Sequence, residues 1–358
     1  MSNQIFFTPG PAQTFYTFEQ HLKTAIKEDI PSISHRSKTF QDIFASTTEN
    51  LKTLFDLPDG YHVYFTASAT EVWERIAQNL INHSSHHFVN GSFSRRFYDI
   101  TKAYQLNASA EEAAPGGSFS LNVPEEAELV AVAQNETSIG FNFPDKEIYQ
   151  VAENKNSDAL LAVDMGSCAP VVPIDFSRID TAYFSVQKSF GLPAGLGVWI
   201  VNDRCLEKAA QKEKDGHITG SYHRLSQLQK YAAKHQTPET PNVLGIYLLG
   251  KVAQDMLYRG VKQLRNETIY KSAILYQTMK ELSWISPFIE EEQYRSKTVG
   301  VGKLNGVSAT EIIEQVKAKK LVLGQGYGPF KEEHLRIANF PTHSKEQMEM
   351  LVDLLATL

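Results

Sequence analysis

The sequence predicts an α/β protein, with a mainly parallel central sheet covered by helices on both faces and a smaller α+β domain. Three observations support this fold class. Short segments such as 129–133 and 160–163 are almost wholly apolar, as strands buried on both faces are. Amphipathic helical segments such as 38–55 alternate with them. A polar stretch with two prolines, 236–241, then separates this alternation from the last third of the chain.

The predicted large domain covers 13–241, and each of its elements follows from a local pattern. Phe40, Phe44 and Leu51 recur at helical spacing, which predicts the first long helix. Short apolar runs bounded by polar or small residues predict the strands. In order, the expected elements are a helix at 38–55, a strand at 63–65, a turn of small residues at 66–70, a helix at 71–82, and strands at 87–89, 129–133, 160–163, 181–186 and 197–201.

The remaining segment, 242–358, is predicted to form a small C-terminal domain together with residues 1–12. Its helices are longer than its strands, and the two types do not alternate regularly, which is typical of an α+β arrangement. The expected elements are helices at 242–258, 261–282, 308–318 and 344–357 and strands at 297–304 and 320–323.

Composition and charge exclude several classes of function. The net charge of −6 and the sequence pI near 6.0 give no basic footprint for nucleic acid. The chain has no apolar run of about 18 residues and no signal-peptide core, so we expect neither a membrane span nor secretion. Cys168 and Cys205 are the only cysteines, which favours a reducing cytoplasm. The histidines of 83–87 are predicted to lie in a solvated turn, and no metal site is expected.

Polar side chains follow apolar strands at four places in the predicted sheet. Ligands of open parallel sheets bind beyond the carboxyl ends of the strands, so these residues are the first candidates for a site. Thr70 begins a helix whose free N–H groups favour a phosphate, Thr137 offers a hydroxyl, Asp164 a carboxylate and Lys188 an amine. Pyridoxal 5′-phosphate (PLP) needs these groups at its phosphate, ring oxygen, pyridinium nitrogen and aldehyde. Each residue also has an ordinary interpretation, as a surface lysine, a turn aspartate or a helix-terminal threonine.

Short motifs around these residues resemble the class V aminotransferases, which are PLP-dependent enzymes of fold type I. The resemblance follows the family's order through most of the chain, and it is strongest to the phosphoserine branch. It implies the PLP-dependent transferase fold for the predicted sheet. The motifs are Ser34-His35-Arg36-Ser37, Asn135-Glu136-Thr137, Asp164-Met165, Gln187-Lys188 and Gln236-Thr237-Pro238.

The resemblance implies a role for each matching residue. Lys188 is expected to carry the cofactor as a Schiff base and to move the substrate's proton, while Asp164 pairs with the pyridinium nitrogen. The other implied contacts are Ala69, Thr70 and Gln187 at the cofactor phosphate, Thr137 at the ring oxygen, Phe93 against the ring face, and Gln236 and Thr237 from the partner subunit of a homodimer.

Substrate binding is predicted at His35, Arg36 and Arg336, since the two guanidinium groups match family arginines that hold carboxylate and phosphate. The implied reaction transfers an amino group between glutamate and 3-phosphohydroxypyruvate in serine biosynthesis, with a related step in pyridoxine biosynthesis. Pro329 and Phe330 replace a His-Arg pair that the phosphoserine branch usually carries. Two alternatives therefore stay open: an aminotransferase for alanine, serine or glyoxylate, and a non-catalytic PLP-binding homologue.

Overall fold

Two main sheets organise the protein in the computed structural model, which describes residues 4–358. One sheet has seven strands and the other has five. The strands are β1 (Ile5–Phe7), β2 (Tyr61–Thr66), β3 (Ser84–Val89), β4 (Asn107–Glu112), β5 (Leu129–Ala133), β6 (Asn135–Glu136), β7 (Phe141–Asn142), β8 (Leu160–Asp164), β9 (Thr181–Ser185), β10 (Gly197–Asn202), β11 (Ile285–Pro287), β12 (Val299–Leu304), β13 (Leu321–Gln325) and β14 (His334–Ala338).

Helices pack on the sheets through apolar stripes, and several begin at a side chain that caps the first turn. Ser37 accepts a hydrogen bond from the Phe40 N–H, which fixes the start of the helix predicted at 38–55. The helices are α1 (Phe18–Lys27), α2 (Lys38–Phe55), α3 (Ala69–Leu80), α4 (Ser92–Ala103), α5 (Asp145–Asn154), α6 (Asp203–Lys214), α7 (Leu225–Ala232), α8 (Val243–Arg259), α9 (Val261–Glu281), α10 (Ala309–Ala318) and α11 (Lys345–Leu355).

The seven-stranded sheet has the order β2-β10-β9-β8-β5-β3-β4. Only β10 runs antiparallel to its neighbours, and the pairs from β9 to β4 are all parallel. Strand β5 is buried along its whole length, in keeping with helices on both faces. The predicted α/β fold with a mainly parallel sheet is confirmed. Because β9, β8 and β5 are adjacent, the residues that follow them converge at one edge.

The five-stranded sheet has the order β1-β13-β14-β12-β11 and joins the two ends of the chain. Strand β1 pairs in parallel with β13, with Ile5 opposite Leu321. The chain then leaves β1 toward the other sheet, where the Ala12 N–H donates to the Gln187 carbonyl oxygen. The N-terminal segment therefore bridges both sheets.

Helix α8 packs closely on α2 and shares the core of the seven-stranded sheet. The Thr47 hydroxyl donates to the Ile246 carbonyl oxygen at 3.1 Å. A Cβ atom at Gly250 would lie 2.2 Å from Thr47 Oγ1, so only glycine allows this approach. The division of the chain at 241 stays a prediction.

The predicted solvated turn at 83–87 is wrong for two of its three histidines, since only His83 lies in an exposed bend. His86 and His87 lie within β3 and are 5% and 2% exposed. His87 shares a hydrogen bond with the Ser85 hydroxyl and packs edge-on against Phe97. The two imidazoles are accommodated because burial lowers their pKa values and keeps them neutral. Among residues 4–358, no helix is both long and apolar enough to cross a membrane.

Candidate active site

A cavity of about 280 Å³ opens beyond the carboxyl ends of β5, β8 and β9. It gathers residues from both sheets and from the start of α3. A wider groove beside β1 is lined by no charged side chain, so the chemistry is concentrated in the smaller cavity. The residues lining this cavity are Pro9, Gly10, Ala69, Thr70, Trp73, Phe93, Ala133, Asn135, Thr137, Asp164, Gly166, Ser185, Gln187, Lys188, Tyr327 and Arg336.

Lys188 follows β9 in the loop that turns back into β10, and its amine lies inside the cavity. Nζ donates to the Thr137 hydroxyl at 3.3 Å and lies 5.2 Å from the centre of the Phe93 ring. Burial lowers the pKa of Lys188, against the opposing charge of Asp164. A lysine with a lowered pKa has a larger neutral fraction, which a nucleophile or base requires.

Asp164 is the last residue of β8, level with Ala133 and Tyr183 in the neighbouring strands. Its Oδ1 accepts a hydrogen bond from the Gly166 N–H at 2.7 Å, and its Oδ2 accepts one from Trp73 Nε1 at 3.2 Å. Burial raises its pKa to about 6, although Lys188 opposes the shift. The two donors orient the carboxylate and leave acceptor capacity for a cationic ligand.

The N-terminus of α3 points its free backbone donors at the cavity. Ser68 caps the helix by accepting from the Glu71 N–H, and the Ala69 N–H donates to the Ser185 hydroxyl at 2.7 Å. The Thr70 N–H has no hydrogen-bond partner among the described residues. Gln187 Oε1 is buried nearby without a partner. This end of the cavity can bind an anion.

The turn that carries Phe93 is held by a fully buried carboxylate, Glu136. Its side chain accepts from the Phe93 N–H at 3.3 Å and from the Ser94 N–H at 2.8 Å. These donors are at the start of α4, where the helix dipole stabilises a negative charge. A Cβ atom at Gly91 would lie 2.3 Å from Glu136 Cγ, so the turn has no space for a larger residue.

Arg336 lies in β14 of the five-stranded sheet and places a positively charged side chain at the cavity. Its Nε donates to the Gln325 carbonyl oxygen at 2.7 Å, and its guanidinium lies 5.1 Å from the centre of the Tyr327 ring. Burial lowers its pKa to about 10. Within residues 4–358 no carboxylate lies within 4.0 Å of it, so the guanidinium is available to an anionic ligand.

Four predicted site residues lie together outside the cavity. Arg36 Nη1 donates to Gln236 Oε1 at 2.9 Å and to the Thr237 carbonyl oxygen at 2.8 Å. The guanidinium also lies 4.8 Å from the centre of the Tyr231 ring, and His35 precedes it in the same loop. The predicted residues thus form two groups, one inside the cavity and one on the surface.

Comparison with known proteins places this cavity in a family. Residues 117–328 match the family model for aminotransferase class-V. The chain belongs to the class V aminotransferases. It is 43% identical to a phosphoserine aminotransferase from Cytophaga hutchinsonii of known crystal structure, with a TM-score of 0.98 and coverage of 100% of this chain and 99% of that one.

Two further known proteins are similar to this aminotransferase. The phosphoserine aminotransferase of Rhodococcus opacus is 28% identical over 323 residues, which cover 89% of this chain and 85% of that protein. A PLP-bound phosphoserine aminotransferase from Trichomonas vaginalis is 19% identical, with a TM-score of 0.79 and coverage of 99% of this chain and 100% of that one. At that identity, the Trichomonas structure supports the fold alone.

Several residues of the aminotransferase cavity were not predicted from the sequence. Trp73 lies one helical turn after Thr70, so helical spacing could have identified it. Ser185 ends β9, and its position at a strand end was a usable signal. No local pattern predicts Tyr327 or Gly10, because their elements reach the cavity through strand pairing distant in sequence.

The residues present fit PLP. The α3 N-terminus and Gln187 can bind its phosphate, and Gln187 needs a ligand to satisfy its buried oxygen. Asp164 has acceptor capacity for a protonated ring nitrogen, and Lys188 lies between the Thr137 hydroxyl and the Phe93 ring. Gly10 leaves space for the Lys188 side chain, since a Cβ atom at position 10 would lie 3.1 Å from Lys188 Cγ.

Proposed function

We propose that this class V aminotransferase is a phosphoserine aminotransferase that uses PLP and exchanges an amino group between glutamate and 3-phosphohydroxypyruvate. One observation carries the proposal. A single cavity contains a half-buried lysine, a half-buried carboxylate and an available guanidinium, in a chain similar over its whole length to the Cytophaga phosphoserine aminotransferase. The reaction contributes to serine biosynthesis.

The residues of the cavity divide the chemical work. Bound PLP supplies an electrophilic aldehyde and an electron-accepting ring. Burial lowers the pKa of the Lys188 amine. Lys188 Nζ accepts the proton from the substrate's α-carbon and delivers it to the aldehyde carbon of the cofactor. Asp164 accepts a charge-assisted hydrogen bond from the ring nitrogen and so keeps that nitrogen protonated. Phe93 covers one side of the site and excludes water.

Arg336 binds the α-carboxylate of the substrate. Its Nε is fixed by the Gln325 carbonyl, so both Nη groups can make parallel hydrogen bonds to a carboxylate. The Tyr327 ring beneath the guanidinium restricts its movement. A glutamate and a phosphoserine share this α-carboxylate, which lets one arginine serve both halves of the reaction.

Recognition of the substrate phosphate cannot use the His-Arg pair that Pro329 and Phe330 replace. Phe330 instead stacks on His334, with ring centres 4.6 Å apart, and packs against Phe288. We assign the phosphate to His35 and Arg36 of a second subunit. Arg36 is exposed, and it is positioned by main-chain and side-chain oxygens with no carboxylate within 4.0 Å among the described residues.

A homodimer accounts for the two spatial groups of site residues. Arg36 is exposed and donates to Gln236 Oε1 and to the carbonyl oxygen of the buried Thr237, and all three lie outside their own cavity. In a symmetric dimer such a group can complete the cavity of the partner, with Gln236 and Thr237 at its cofactor phosphate. We further propose a cytoplasmic location, which is supported by two buried free thiols. We also propose a role in pyridoxine biosynthesis. The proposed domains are 13–241 and 242–358, the second together with 1–12.

The test is a single-turnover experiment on the PLP-loaded protein. Phosphoserine, serine, alanine and glutamate are mixed separately with the enzyme, and the loss of the absorption of lysine-bound PLP is followed. We expect phosphoserine and glutamate to react fastest. A preference for serine or alanine over phosphoserine would transfer the assignment to the small-acid aminotransferases, and no reaction with any of the four would refute the enzyme assignment.

A further inference from the structure

A buried histidine lies between two carboxylates directly behind the predicted phosphate-binding end of the cavity. His223 Nδ1 is hydrogen-bonded to Glu71 Oε1, and Nε2 lies 3.3 Å from Glu239 Oε2. The His223 side chain is only 5% exposed. His223 does not line the cavity, so it has no role in the chemistry described so far.

The imidazole carries a positive charge at neutral pH. Burial lowers its pKa, but the hydrogen bond to Glu71 and the charges of Glu71 and Glu239 outweigh burial and raise the pKa to about 9. Arg75 is a further charged group beside this cluster: its Nε lies 3.4 Å from Glu71 Oε1, and its Nη2 lies 3.9 Å from Glu74 Oε2. The Tyr222 ring covers the imidazole, with ring centres 4.1 Å apart.

Glu71 has an unusual position for a protein that binds phosphate. It lies in the first turn of α3, immediately after Ala69 and Thr70, and its Oε2 accepts from the Ala67 N–H at 2.8 Å. A negative charge there stabilises the helix, but it also repels an anion that binds to the same helix end. The charge of Glu71 must therefore be balanced if the turn is to bind a phosphate.

We propose that His223 is a positioning residue for phosphate binding, because its imidazolium neutralises Glu71 and holds the 67–71 turn in the geometry that an anion requires. The inference rests on the proposed function, in which PLP phosphate occupies this turn. The ligand it serves is the phosphate group itself, and not the pyridine ring.

The same histidine fixes a second phosphate-binding segment. Glu239 follows Gln236 and Thr237, and the Thr237 hydroxyl donates to the Glu239 carbonyl oxygen at 2.7 Å. His223 therefore connects the phosphate turn of its own cavity with the segment proposed to reach the partner's cavity. One imidazolium organises a phosphate contact in each of the two sites.

The experiment compares PLP with pyridoxal, which lacks the phosphate, in titrations of the cofactor-free protein. In His223→Gln the dissociation constant of PLP should rise by about 2- to 30-fold, the range of a charge effect at a helix N-terminus. The dissociation constant of pyridoxal should not change. The matched control is His21→Gln, which removes a histidine paired with Asp255 at 2.6 Å outside the cavity.

A double variant separates charge from structure. His223→Gln with Glu71→Gln removes both members of the pair. We expect this double variant to recover most of the lost PLP affinity, and inorganic phosphate should again compete with PLP for the site. Equal losses for PLP and pyridoxal, no recovery in the double variant, or unchanged PLP binding in His223→Gln would each overturn the inference. If His223→Gln does not fold, Glu71→Gln with Glu239→Gln tests the same idea, because PLP affinity should then be retained without the carboxylates.

The proposed function is tested separately by the wild-type protein. If it binds PLP and reacts with phosphoserine while His223→Gln behaves identically, only the role of His223 fails. If the wild-type protein does not bind PLP, the proposed function and the role of His223 both fail.

Discussion

Replacing Arg336 with alanine tests how the cavity binds an acidic substrate. The arginine is held by one main-chain carbonyl and one aromatic ring, and within residues 4–358 its Nη groups have no acceptor. A substrate carboxylate is therefore expected to satisfy a charge that is otherwise buried and unpaired. Removing one partner of such a buried, hydrogen-bonded pair costs about 2–5 kcal/mol.

That range corresponds to a loss of about 30- to 4,000-fold in kcat/KM, at 1.4 kcal/mol for each factor of ten. The assay is single-turnover reaction of the PLP-loaded protein with phosphoserine and with glutamate. The value of kcat/KM should fall by a similar factor for both substrates, because both present the same α-carboxylate to Arg336. Arg336→Lys should recover part of the loss, since it keeps the charge but not the bidentate geometry.

A second buried arginine provides the matched control. Arg295 donates to the Ile289 and Glu290 carbonyl oxygens and lies 5.5 Å from the centre of the Tyr276 ring, but it does not line the cavity. Arg295→Ala should lower the melting temperature and leave kcat/KM largely unchanged. An Arg336→Ala enzyme with wild-type kcat/KM, or with a loss no larger than that of Arg295→Ala, would make Arg336 a structural residue.

Three further predictions concern the interior of the cavity. Lys188→Ala should abolish transamination and the visible absorption of lysine-bound PLP, and a wild-type spectrum would exclude Lys188 from its role. Burial raises the Asp164 pKa from 3.8 to about 6, so the folded cofactor-free protein binds this proton more tightly than the unfolded chain, and stability falls as pH rises through this interval. Asp164→Asn, which cannot ionise, should therefore raise the melting temperature of the cofactor-free protein above pH 6 while weakening PLP binding; a lower melting temperature there would contradict the buried charge. Gly91→Ala should cost about 1–3 kcal/mol of unfolding free energy by overpacking against Glu136, measured by denaturant titration, and wild-type stability would show that the turn can relax.

The elements with strong local patterns were predicted from the sequence, and those specified by distant partners were not. Helix α2 matches its predicted bounds, 38–55, because an apolar stripe lies within the segment and a capping serine, Ser37, immediately precedes it. Strand β4 has the sequence Asn-Ala-Ser-Ala-Glu-Glu and was missed, since an exposed edge strand needs no apolar face. Strand β14 was missed as well, because its pairing with β12 and β13 is not encoded locally.

The candidate site was predictable to a similar extent. Residues that follow β5, β8 and β9 could be named from strand ends alone, although the order that makes these strands neighbours could not. Resemblance to the family identified Arg36 and Gln236 as site residues outside the cavity. No periodicity in the sequence indicates the hydrogen bond between them. His86 and His87 were misassigned because polar residues are usually exposed, and here tertiary packing outweighs that tendency.

The pairing of β1 with β13 has a consequence for how the chain is made. Ile5 is translated long before its partner Leu321. Until then β1 has an unpaired edge, and Gly10 has no fixed place beside Lys188. Contacts so distant in sequence form late and slowly. Nascent chains that stop before β13 can contain every residue of the seven-stranded sheet and still lack one wall of the cavity, which makes translation through β13 and β14 a condition for activity.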